Sequence, residues 1–262
     1  MGTPLNFGIE FEFVGMGNSN RNIGNRLHEA INQNRKDMEQ IAFSCGGNSE
    51  FWCVKGDCSV NRTDVCLSPN RYGDGCGTCN RCVYPGGAEL VSPVLTYNDD
   101  GLMQVYRVCE ALAACGAFAN ETCGLHVHMD ARWLQRYDRS FAQDFLNFMA
   151  KSYADDEDIF DSFVHESRRG NKNEYCRTLK GITDYSRIPR YHKLNIQAFA
   201  RHGTIEFRQH HGTISHDEVL PWVHMCAKYY TTKRAEFLLN AAENRKYRYS
   251  SHYIQEDFSI LL

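Results

Sequence analysis

The chain has 262 residues, 42% of them hydrophobic, and a formal net charge of −3. That length can bury a reactive site inside one large domain, while a pI near 6.4 excludes a chain-wide basic field and, with it, nucleic acid as the expected main partner. No apolar run approaches the roughly 18 to 20 residues of a membrane span, and the opening "MGTPLNFGIEFEF" lacks the basic and apolar regions of a signal peptide, so a cytoplasmic protein without a membrane partner is expected.

In chain order, "LNFGIEFEFV" (Leu5 to Val14) alternates, with Phe7, Ile9, Phe11 and Phe13 on one face and Glu10 and Glu12 on the other, the pattern of a strand. A helix is expected from about Ile23 to Gln40, where Ile23, Leu27 and Ile31 recur at four-residue steps. "SEFWCVKGDCSV" (Ser49 to Val60) reads as strand, turn and strand, and a Gly- and Cys-rich loop from about Asn61 to Pro85 looks inserted. A short strand "GAELVSP" leads to a helix from about Asp100 to Gly116. The strand "GLHVHMD" follows, then helices near Tyr137 to Tyr153 and Asp156 to His165. Two strands, "YHKLNIQAF" and "GTIEFRQH", precede a last helix from about Asp217 to Leu239. This mixture lacks regular βαβ alternation, which favours an α+β fold with an antiparallel sheet. No internal repeat and no domain-sized linker interrupts the chain, so a single domain, 1–262, carrying the insertion 61–85 is expected.

Twelve cysteines are present, six of them between Cys53 and Cys82, and "CGTCNRC" sets Cys76, Cys79 and Cys82 at three-residue steps. Without a secretion signal that spacing favours thiolate ligation of a metal over disulfides. Cys66 with Cys76, Cys79 and Cys82 would make a tetrahedral, structural Zn²⁺ site; Cys45, Cys53 or a nearby histidine could replace Cys66, and buried free thiols are the plain alternative.

Four strands carry polar groups at same-face spacing. Glu10 and Glu12 stand two apart among strongly apolar neighbours, so their face should line a cavity and not merely meet water. His126 and His128 share a face of their strand, Glu89 sits in the apolar "GGAELVSPVL", and Glu206 and Arg208 face one way while Ile205 and Phe207 face the other. Each feature alone has an ordinary structural explanation: a solvated face, a packed histidine, an ion pair. Together they describe a polar floor suited to hard cations and phosphate, which take carboxylate oxygens and the forked donors of arginine.

The motifs "GIEFEF", "GDCSV", "GGAELVSPVL", "GLHVHMD" and "GTIEFRQHHGT", in that order between residue 8 and about residue 213, resemble the amidoligase family within the glutamine synthetase and glutamate–cysteine ligase-like superfamily. The resemblance implies a curved antiparallel sheet with helices packed on one face. It also implies an activity, ATP-dependent joining of a carboxylate to an amine, with Mg²⁺ or Mn²⁺ as the metal. Carried over to this chain, Glu10, Glu12, Glu89, His126 and Glu206 would bind the metal. His128 would contact substrate or phosphate, and Arg208 would be the catalytic arginine, with Arg201 as a helper. Asp57, in "KGDCSV", matches an Asp-Gly-Ser turn and could orient or deprotonate the amine, although Cys58 replaces the glycine. Asn195 would be a substrate contact.

The chemistry implied begins with phosphoryl transfer from ATP to the carboxylate, giving an acyl phosphate that the amine attacks. The acid and amine could be small molecules or belong to a peptide or protein. Two other classes use the same residues differently: a guanidine-type phosphotransferase, which would stop at phosphoryl transfer, and a non-enzymatic zinc-containing binding protein, which predicts that Glu10, Glu206 and Arg208 do not converge.

Overall fold

The computed structural model describes residues 4–16, 20–32, 43–44, 50–57, 60, 87–243, 247, 253–255 and 257. The strand, turn and strand read in "SEFWCVKGDCSV" is a single strand over Trp52–Asp57; residues 58–59 and the whole insertion 61–85 with Cys66, Cys76, Cys79 and Cys82 lie outside the described residues, as does Cys45.

The chain divides into two compact units. The first comprises residues 7–126 and 210–222. Here β1 (Asn6–Phe13) enters from Asn6, and α1 (Asn20–Asn32), β2 (Phe43–Ser44), β3 (Trp52–Asp57), β4 (Gly87–Val91), β5 (Leu95–Thr96) and α2 (Asp99–Ala114) follow. The first residues of β6 (Gly124–Asp130) complete it. Strand order is β2-β3-β4-β1-β6, with β5 also beside β1. β1 pairs antiparallel with β4 and β4 with β3, as expected, but β2 runs parallel to β3. Alternation decides the layers: Ile9, Phe11 and Phe13 are buried at 1% exposure or less, with Phe11 beside Trp52 and opposite Leu90, and the α2 stripe of Val105, Val108 and Leu112 is buried as well. Asn98 caps α2, its side chain accepting from Gly101 N at 2.9 Å. A Cβ on Gly101 would stand 2.0 Å from the Thr96 carbonyl oxygen, so only glycine lets the helix start this close to β5.

The second unit comprises residues 1–6, 127–209 and 223–262. It holds the end of β6, α3 (Arg139–Ser162), β7 (Leu194–Asn195), α4 (Ala198–His202), most of β8 (Thr204–His211) and the larger part of α5 (His216–Glu243). Strand order here is β6-β8-β7, with β7 and β8 antiparallel. Its core is aromatic: Phe145 meets Phe237 edge-on at 5.2 Å and Trp133 at 5.0 Å, and Trp133 Nε1 donates to the Tyr230 hydroxyl at 2.8 Å.

Three expectations change. The helices expected at 137–153 and 156–165 are one helix, α3, because nothing between Tyr153 and Asp156 breaks it. Its buried stripe also continues unbroken through Met149, Ala150, Tyr153, Ala154, Glu157 and Phe160. The strand read in "YHKLNIQAF" contracts to Leu194–Asn195, since the Asn195 side chain accepts from Gln197 N at 3.0 Å and turns the backbone into α4. Gly203, at φ 69°, ends α4 in the left-handed region and leads into β8. In neither unit do the paired strands curl round on themselves; the sheet is open.

Candidate functional site

In the first unit the strand register brings the expected carboxylates together. Glu12 of β1 lies directly opposite Glu89 of β4, and Lys55 of β3 lies directly opposite Glu89 on the other side. Residues directly opposite share a face, and so do residues two apart on one strand. Glu10, Glu12, Glu89, Lys55 and Asp57 therefore occupy a single face, with the apolar residues behind. Like charges directly opposite across strands are destabilising, so the Glu12/Glu89 pair is not there for stability.

The second histidine reading resolves in the same place. His126 Nδ1 lies 3.1 Å from Glu10 Oε2 and its Nε2 lies 3.7 Å from Glu12 Oε1, with the imidazole 5% exposed. Backbone Gly124 N donates to the other Glu12 oxygen at 2.6 Å, which fixes that carboxylate with one oxygen turned toward the ring. Glu89 is pushed up to about 9, first by burial and then by the Glu10 carboxylate, to which it is hydrogen-bonded; Lys55 acts in the opposite sense and Asp57 adds to the rise. At neutral pH this cluster thus holds a proton between Glu10 and Glu89, where two carboxylates would otherwise repel. A divalent cation is the other means of relieving that repulsion, and carboxylate oxygens with one imidazole nitrogen form a suitable donor set.

In the second unit Glu206 has its own set of partners. It stands opposite Asn195 across the β7–β8 ladder and is 4% exposed. Asn195 Nδ2 donates to Glu206 Oε2 at 2.6 Å, Arg208 Nη1 pairs with Glu206 Oε1, and His128 Nε2 lies 3.8 Å from that same oxygen. The Thr204 hydroxyl meets His128 Nδ1 at 2.9 Å and so orients the ring. Arg208 Nε also points at the Tyr175 carbonyl oxygen at 3.5 Å. The Glu206 carboxylate thus fixes where the planar guanidinium fork lies. Arg201 sits on the exposed side of α4.

Of the two histidines of β6, His126 lies against Glu10 and Glu12, and His128 lies against Glu206. Two residues were missed from the sequence. Lys55 faces Glu89, but "VKGD" reads as a turn, which hid its strand register. Lys193 is 0% exposed, with Nζ 2.8 Å from Glu157 and 2.6 Å from Asp161. Glu157 in turn accepts from the Thr178 hydroxyl at 2.5 Å and from Leu179 N at 2.9 Å, while Gln209 bonds both Asp161 and the Tyr153 hydroxyl. That network lies between α3 and the β7–β8 ladder, on the side of β8 away from Glu206, and anchors the strand that carries the Glu/Arg pair.

The family model described as "Putative amidoligase enzyme" matches residues 3–181 and 182–230, which is most of the chain. The chain belongs to the amidoligase family. Membership places it among ligases that form amide bonds. A comparison with curated proteins found no match. Among the described residues, no helix of this amidoligase is long and apolar enough to cross a membrane.

Proposed function

We propose that this amidoligase activates a carboxylate with ATP, through an acyl phosphate, and joins it to an amine. The observation that carries the reading is the like-charge register of Glu12 against Glu89, with Glu10 and His126 on the same face. A sheet keeps such a costly arrangement where a cation is to be held. Glu10, Glu12, Glu89 and His126 would hold Mg²⁺ or Mn²⁺. The metal supplies neutralisation of phosphate charge and a template for in-line transfer.

The chain's own groups supply the rest. Arg208, kept in orientation by Glu206, brings its guanidinium to phosphate oxygens and stabilises charge that develops as the phosphoryl group moves. Asn195 fixes Glu206, and His128, with its ring set by Thr204, is placed to donate to substrate or phosphate. Asp57, half-buried at the end of β3, takes the proton that the amine must lose on attack. The Cys-rich insertion is assigned a structural zinc.

The test is a screen of carboxylates and amines with ATP for ADP and inorganic phosphate released only when both substrates are present. With a substrate pair in hand, Arg208→Lys keeps the charge but loses the planar fork. Turnover should fall on the order of 10² to 10³-fold, well beyond any loss of ATP affinity. ADP appearing with a stable phosphorylated product in place of inorganic phosphate would make the protein a phosphotransferase, and Arg208→Lys turning over at the parent rate would remove Arg208 from the mechanism.

A further inference from the structure

On the second unit, the side of α3 turned away from the sheet borders a groove of about 720 Å³, within the 300–1,000 Å³ typical of ligand sites. α3 puts Tyr153, Glu157 and Phe160 toward β8 and the Lys193 network. Its Asp144, Ser152, Asp155 and Asp156 line the groove, joined by Asp184, which caps the short 3-10 turn Tyr185–Arg187, and by Glu236 from α5. The groove is thus separate from the Glu206 and Arg208 group.

Its charge is one-sided. Five carboxylates, Asp144, Asp155, Asp156, Asp184 and Glu236, line it against two ammonium groups, Lys151 and Lys233. Hydroxyl donors from outside the groove fix two of those carboxylates, Tyr247 on Asp144 at 2.6 Å and Tyr229 on Asp156 at 3.2 Å, and Ser186 N and Oγ hold Asp184 at 2.9 and 2.6 Å. Both lysines are already engaged, Lys151 with Asp155 at 2.7 Å and Lys233 with Glu236 at 3.3 Å and Asp156 at 3.5 Å. Two half-buried rings, Phe148 and Tyr185, add flat surface of the kind that organic cations favour.

An acidic surface alone would say little. The second observation is Ser152. This wall residue is only 8% exposed, and its hydroxyl meets no hydrogen-bond partner among the described residues. A serine in mid-helix commonly bonds back to the preceding turn; this one instead presents a free acceptor and donor at the base of a negatively charged groove. A cationic head entering the groove would find there a hydroxyl that no described side chain already holds.

We propose that this groove binds a flexible organic cation carrying two or more ammonium or guanidinium groups, whether a free polyamine or the basic side chains of a polypeptide. One cationic head hydrogen-bonds the Ser152 hydroxyl and pairs with Asp156, a second reaches Asp184 or Asp155, and the alkyl chain lies along Phe148 and Tyr185. The proposal stands apart from the ligase reading: it concerns binding only, and it is tested without turnover.

The test is calorimetric titration of the full chain at low salt with two probes, spermidine and a short blocked peptide with two lysines. Saturable one-to-one binding is expected, weakening as salt screens the carboxylates. Ser152→Leu changes no charge but fills the base of the groove, and binding should weaken at least about tenfold, or 1.4 kcal/mol. Asp155→Asn with Asp184→Asn, both exposed and tolerant of substitution, should produce a similar loss. A tighter fit for spermidine identifies a free polyamine as the ligand, and a tighter fit for the peptide identifies a polypeptide. If neither probe saturates, or if Ser152→Leu with a parent-like circular dichroism spectrum binds both as the parent does, the groove is only an acidic surface and the proposal is wrong.

Discussion

Glu89 carries the clearest consequence of the register. Its carboxyl is raised from an ordinary 4.5 to about 9, burial first and the Glu10 carboxylate next, so folding takes up a proton. A group raised in this way stabilises the fold fully below about pH 4.5, and that contribution is lost as pH rises toward 9. In chelator, parent protein should therefore lose stability across that window, by at most about 1.4 kcal/mol per pH unit. Glu89→Gln keeps the neutral form at every pH. It should flatten the dependence in denaturant titrations at a series of pH values, leave the protein more stable at pH 8 without metal, and weaken its binding of Mn²⁺. Parallel curves for parent and variant would mean that Glu89 does not hold this proton. The same residue shows what the sequence could and could not tell. Glu10 and Glu12, or Glu206 and Arg208, are legible because period two is local. That Glu89 faces Glu12 depends on how β4 aligns with β1, which no short stretch of sequence states; its apolar setting marks it as a candidate, and only the family resemblance makes it a metal ligand. Lys55 was lost for the same reason in reverse: a local reading of Lys-Gly as a turn overruled a register set by β4.

At the scale of elements, long periodic segments were legible and short or paired ones were not. The α2 stripe and the β1 alternation are visible in the sequence because one face of each is buried by many apolar neighbours. α3 was cut in two where acidic residues dilute the pattern, although Glu157 there is a core residue. Burying Glu157 makes sense only with Lys193, distant in sequence, and a lone lysine in "YHKLN" reads as surface. The pair also decides how firmly β8 is held. Lys193→Met would leave Glu157, 1% exposed, without its counter-charge, and the expected cost is roughly 3 to 5 kcal/mol, the usual penalty for stripping one partner from a buried pair. Lys193→Met with Glu157→Gln should recover part of that loss, because the stranded charge is gone. Chemical denaturation of both variants measures it, and a double variant no more stable than Lys193→Met would mean that shape, not charge, sets the cost. Activity in the single variant should fall along with stability, since Arg208 N bonds the Lys193 carbonyl oxygen at 2.8 Å.

For the whole molecule, composition and charge excluded much and motif order gave the family, while cysteine usage is the feature that still divides two pictures of the chain. Of twelve cysteines, the six described ones, Cys53, Cys109, Cys115, Cys123, Cys176 and Cys226, are free thiols. Burial pushes Cys109 up to about 12 and Cys176 up to about 11, so neither is a nucleophile or a ready ligand at neutral pH. Cys53 is buried in β3 as part of the core, which argues against its serving as the fourth ligand of a zinc site in the insertion. The candidates that remain are Cys66, Cys76, Cys79 and Cys82, with Cys45 or a nearby histidine as a substitute for Cys66. Binding energy in a structural zinc site is folding energy, so protein purified without chelator should hold about one zinc per chain by the stoichiometry of a tetrahedral thiolate site. Cys79→Ser should lose the metal and melt earlier, whereas Cys53→Ser should keep the metal and lose stability only through its effect on the core. Elemental analysis with thiol titration of the unfolded protein separates the outcomes: zinc with all twelve thiols reactive after chelation supports the site, and absent zinc with two thiols missing from the count points to a disulfide such as Cys76–Cys82 and removes zinc from the assignment.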